Sequence, residues 1–120
     1  MDGSHKALLA LLGYVFLQNA RPDKAAVVLA ALDRLEPGDT RTLRALALAQ
    51  LRSAKPQRAL DTLDRLAIAG GVDAAFHLLR AQALSATDRA ADAADAMRAY
   101  VALREATRTH PATPPSTDPR

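Results

Sequence analysis

The amino-acid sequence repeats itself at an interval of 34 residues, and this interval constrains the fold more than any other feature. Leu12, Leu17, Ala20, Pro22, Ala25, Leu29 and Leu32 recur as Leu46, Leu51, Ala54, Pro56, Ala59, Leu63 and Leu66. A fainter third copy sets Ala81, Ala93 and Met97 opposite Ala47, Ala59 and Leu63. A period of this length belongs to helix–turn–helix units, each with an apolar face that only a stacked neighbour can bury.

The expected fold is therefore all-α, with three tandem tetratricopeptide-like units forming a short superhelical solenoid. Composition agrees: Leu, Ala and Arg favour helix, and aromatic residues make up only 3% of the 120 residues. With no cysteine, neither a disulfide framework nor a thiolate metal site is possible. The formal charge is +3, but acidic residues are interleaved with the arginines and no basic stripe or stacking aromatics stand out. That pattern argues against nucleic-acid binding. The apolar run Ala7–Leu17 behind Lys6 has the length of a signal-peptide core and is too short to span a bilayer. Its leucines Leu9, Leu12 and Leu17 match Leu43, Leu46 and Leu51, which places it inside the repeat domain.

Punctuation divides the chain further. Residues 1–5 are expected to be unstructured, residues 6–38, 39–72 and 73–108 to form the three repeats, and residues 109–120 to be a disordered Pro-rich tail. Pro22 and Pro56 suit the first turns of second helices, Pro37-Gly38-Asp39 and Gly70-Gly71 end them, and Asp39 or Thr40 and Asp73 begin the next ones. Gly13, Ala47 and Ala81, with Ala25, Ala59 and Ala93, are small enough to let paired helices approach closely. Leu29, Leu63 and Met97 are expected to fill the space between units. The turn position that commonly carries glycine holds Ala20, Ala54 and Asp88, which predicts turns built without a left-handed residue. His77 and Arg80 replace the leucines of earlier copies, so the fifth helix is expected to rotate and turn Phe76, Leu79 and Ala83 inward.

In such a stack the first helices line the concave face. The repeat register places Tyr14, Leu17, Leu48, Leu51 and Leu78 there, with Arg41, Arg44 and Arg52 at the rim. An apolar groove edged by arginines suits an amphipathic helix with acidic flanks, held through spaced hydrophobic anchors. After Leu103 too few residues follow for a polar covering helix, so Tyr100, Val101 and Leu103 are expected to stand partly uncovered, with a partner completing the cap. No metal or cofactor site and no catalytic constellation is expected. His5, His77 and His110 are far apart in sequence, and His77 with Asp73 and Ser85 is too thin a basis for a nucleophile and base. The expectation is a binder and not an enzyme.

The run Leu11-Leu12-Gly13-Tyr14-Val15-Phe16-Leu17-Gln18 and the turn Arg21-Pro22-Asp23-Lys24-Ala25 resemble the small tetratricopeptide chaperones of bacterial type III secretion. Leu29-Ala30-Ala31-Leu32, Leu79-Arg80-Ala81-Gln82-Ala83-Leu84 and Ala99-Tyr100-Val101-Ala102-Leu103 look similar as well. The likeness is to the YscY (SctY) type and spans about residues 7–104. It implies a cytoplasmic bacterial chaperone that binds a small secreted protein of the SctX (YscX) type and, as a complex, engages the export gate. Tyr14, Leu17, Leu48, Leu51 and Leu78 would then hold the partner. The needle-subunit chaperone of the same system and a generic tetratricopeptide scaffold are the alternatives.

Overall fold

A computed structural model describes residues 3–109. Six α-helices follow one another: α1 (Gly3–Gln18), α2 (Pro22–Leu35), α3 (Thr40–Arg52), α4 (Pro56–Ile68), α5 (Ala74–Ala86) and α6 (Ala90–Thr109). The described residues are all-helical and contain no strand. Residues 3–5, expected outside any element, form the first turn of α1. Of the expected tail, Thr109 ends α6 and the rest lies outside the described residues.

Helix ends follow the local chemistry. Pro22 and Pro56 open α2 and α4, where the backbone N–H that proline lacks would have no intrahelical partner. Asp73 caps α5, its Oδ1 accepting the Phe76 N–H at 2.9 Å. The expectation for the three short turns is overturned: Ala20, Ala54 and Asp88 all adopt left-handed backbone, with φ of 58°, 61° and 60°. Each closes its helix with the same pair of bonds. The Arg21, Lys55 and Arg89 N–H groups donate to the Phe16, Gln50 and Leu84 carbonyls at 2.8, 2.9 and 2.9 Å. The Ala20, Ala54 and Asp88 N–H groups reach Leu17, Leu51 and Ser85 at 3.1–3.3 Å. This double closure satisfies carbonyls that would otherwise be orphaned at the helix end, and that gain offsets the strain of a left-handed non-glycine residue.

Consecutive helices pack pairwise along the chain, and α3 also touches α1 and α5. The core is aliphatic. Leu29, Leu43, Leu63, Leu66 and Leu84 are its largest fully buried side chains. Gly13 is buried beneath Leu29: a Cβ there would stand 2.6 Å from one Leu29 methyl, so the alanine of the other copies would require Leu29 to shift. Ala25 and Ala59 are likewise buried.

Phe76, Leu79 and Ala83 are buried as expected, yet α5 needs no rotation to achieve this. Their counterparts in α3, namely Thr42, Ala45 and Ala49, are buried in the same way. His77 and Arg80 are only half-buried, where Leu43 and Leu46 are fully buried. Leu43 shares a cluster with Phe76 and Leu79 of the following hairpin, and His77 has no following hairpin among the described residues. Met97, expected to fill space between units, is exposed for the same reason.

Candidate functional site

The contacts of α3 with α1 on one side and α5 on the other align the first helix of each hairpin. Between them lies a groove of about 550 Å³ lined by Tyr14, Leu17 and Gln18 of α1, Arg41, Arg44, Ala45, Leu48 and Arg52 of α3, and Ala75, Leu78 and Leu79 of α5. Its volume falls within the range of about 300–1,000 Å³ common for ligand clefts. The floor is aliphatic, made by Leu17, Leu48 and Leu78, all half-buried. Tyr14 stands exposed at the α1 wall and offers a ring face with a polar tip.

Seven of the eight residues placed at the site by the repeat register therefore meet in one groove: Tyr14, Leu17, Arg41, Arg44, Leu48, Arg52 and Leu78. Leu51 is the exception. It packs against the clusters built around Leu63 and Leu66 and around Ala59 and Leu84, so it faces the neighbouring helices and not the groove. One residue along a helix is a rotation of about 100°, and from Leu48 to Leu51 three steps bring only a partial return to the same face.

The three arginines differ in what they can do. Arg44 is engaged within the chain: its guanidinium lies 3.0 Å from Asp73 Oδ2 and 3.5 Å from the Gly71 carbonyl. It ties α3 to the start of α5, and Asp73 serves as helix cap and counter-ion at once. Arg41 and Arg52 are exposed and have no carboxylate partner among the described residues. They place two positive charges at the groove edge, where an acidic partner gains attraction and faster encounter.

Two polar pairings escaped the sequence reading. Asp33 of α2 is buried, and both its carboxylate oxygens take the Arg65 guanidinium of α4, at 3.0 and 2.8 Å. Buried Thr62 of α4 donates to Gln50 Oε1 of α3 at 2.6 Å. Both link residues of different helices, and no spacing rule within one helix would find them.

The His77, Asp73 and Ser85 set does not assemble as a catalytic group. Asp73 spends its oxygens on Phe76 and Arg44. The His77 ring lies edge-on to Phe76 at 5.2 Å, and its buried Nδ1 has no hydrogen-bond partner among the described residues. No group of three or more His, Cys, Asp or Glu able to hold a metal ion occurs among the described residues, and no helix there is long and apolar enough to cross a membrane. The sequence matches no family model and no curated protein.

Proposed function

We propose that the chain is a tetratricopeptide-type helical stack that holds an amphipathic helix of another protein in the groove between α1, α3 and α5. The observation that carries this reading is the groove itself, an aliphatic floor bordered by the exposed Arg41 and Arg52. Support for the stack comes from the three left-handed turns at Ala20, Ala54 and Asp88, which recur at the 34-residue interval with one hydrogen-bond pattern. Leu17, Leu48 and Leu78 take the anchor side chains of the incoming helix, and the arginines take acidic residues flanking them.

Within this reading the partner is a small secreted protein of the SctX (YscX) type, and the chain is a cytoplasmic type III secretion chaperone that delivers it to the export gate. The order of residues described above supports that assignment. A scaffold that clamps a free C-terminal carboxylate fits less well, because the groove offers mostly aliphatic surface between its cationic edges.

Co-expression with an SctX-type protein is expected to yield a stable complex. Leu48→Glu combined with Leu78→Glu is expected to weaken it at least about 100-fold, since two apolar anchors at roughly 1.5–3 kcal/mol each are lost. Arg41→Gln with Arg52→Gln is expected to slow association and reduce its salt dependence. Unchanged affinity in the leucine double variant, with helicity intact, overturns the groove assignment. Capture of a needle-subunit helix in place of the SctX-type protein would assign the sister chaperone role.

A further inference from the structure

Three apolar residues of α1 face away from the groove and the core. Leu8, Leu11 and Val15 form one stripe at helical spacing and are 53%, 59% and 37% exposed. At the 34-residue interval they correspond to Thr42, Ala45 and Ala49 of α3 and to Phe76, Leu79 and Ala83 of α5, all of them buried. Ala45 and Ala49 are covered by Leu29 and Leu32 of the preceding helix α2. Phe76 and Leu79 share a cluster with Leu63 and Leu66 of α4, and Ala83 with Leu60. On α1 no preceding helix is described, and the stripe is open.

The other end carries the matching face. Met97 of α6 is 42% exposed, whereas its counterparts Leu29 and Leu63 are each 1% exposed beneath the next hairpin. Beside Met97, α5 and α6 enclose an open cleft of about 490 Å³ lined by Leu78, Ala81, Gln82, Ser85, Ala93, Ala94 and Met97. This is the seat that a following first helix would occupy, as α5 itself sits against α3 and α4.

We infer that the chain associates head to tail, the Leu8/Leu11/Val15 stripe of one copy entering the α5/α6 cleft around Met97 of another. The inference rests on the stacked-repeat reading above. Side-chain sizes favour a second copy as the occupant. Where α4 sets large Leu60 in a cluster with small Ala83, the two ends offer small Ala94 and larger Val15, so large and small change sides and the pair is only one methylene smaller. The contact also continues the α2/α3 and α4/α5 packing already present within the chain. Residues 110–120 contain no large apolar side chain and four prolines, and they lack the material to fill the cleft. Gln82 and Ser85 stand where Leu48 and Leu51 line the internal contact, so the association is weaker than the packing within the chain and is reversible.

Each added copy presents a fresh end, as in any heterologous contact. Sedimentation equilibrium of the full chain is expected to show a mass that rises with concentration beyond that of a dimer. Leu11→Glu and Met97→Glu, each at an exposed position, are separately expected to shift association at least about tenfold upward in concentration. Mixed one to one they are expected to form a heterodimer and nothing larger, because each retains the end the other has lost. Should either lose helicity, Leu11→Gln and Met97→Gln repeat the pair without a charge. A chain that stays monomeric, single variants that associate like the parent, or a mixture that stays monomeric overturns the inference. Val27→Glu, 70% exposed on α2 and on neither end face, is expected to leave association unchanged. A monomeric chain that still binds a helix in the groove overturns the end-to-end contact and leaves the groove reading standing.

Discussion

Ala54→Gly is expected to stabilise the protein, against the usual rule for alanine-to-glycine changes. Ala54 is exposed, so removing its methyl leaves the core unchanged. Its φ of 61° places it in the left-handed region, where a Cβ crowds the following carbonyl at a cost of roughly 1–2 kcal/mol. Glycine removes that cost but enlarges the unfolded ensemble, which returns about 0.4–1 kcal/mol. The net gain is ~0.5–1 kcal/mol. For a domain of this size that is an increase of roughly 2–8 °C in melting temperature. Gly70→Ala is the matched opposite. Gly70 has φ of 89° with nothing within 4 Å of an added Cβ, so backbone strain, partly offset by a narrower unfolded ensemble, sets the effect, and a loss of similar size is expected. Urea unfolding of both variants, compared at constant m-value, measures the pair. Ala20→Gly should equal Ala54→Gly, and Asp88→Gly should gain less, because aspartate tolerates left-handed backbone better than alanine does. Loss of stability in Ala54→Gly, or a shift of the same sign in both variants, would refute the left-handed turn.

Substitutions at two ion pairs test the polar links between helices. Asp73→Ala removes a helix cap and the Arg44 counter-ion together and is expected to cost ~1–2 kcal/mol, whereas Asp73→Ser keeps the cap and recovers about half; equal losses in thermal unfolding would sink the capping role. Arg65→Met strands the buried Asp33 carboxylate and is expected to cost ~1–3 kcal/mol, with Asp33→Leu added in the same chain restoring most of it. A double-mutant cycle showing no coupling between the two positions would mean the pair contributes nothing.

The helical hairpins were legible because the repeat, the prolines at helix starts and the alanines at close contacts are all local signals. The groove was legible in part, since repeat register carries Tyr14, Leu17, Leu48 and Leu78 to one face. Leu51 was misplaced because register gives a helix face only to within a wide arc, and α3 is apolar over much of its circumference. The turns were misread for a different reason. Glycine preference describes the strain of one residue, but the two hydrogen bonds closing each helix belong to the whole turn and outweigh it.

By itself the sequence determined the all-helical class, the number of helices and, apart from the start of α1, their approximate boundaries. These depend on interactions within about one helical turn or on a repeat that can be counted. Tertiary structure decided which apolar residues are covered, because coverage depends on whether a neighbouring helix exists at that point. Leu29, Leu63 and Met97 occupy one repeat position, yet only the first two are buried. It also decided what the charges do: Arg44 and Arg65 are held by carboxylates of distant helix segments, while Arg41 and Arg52 at the groove edge have no carboxylate partner among the described residues. An ion pair between helices is a fact about packing, and no single helix encodes it.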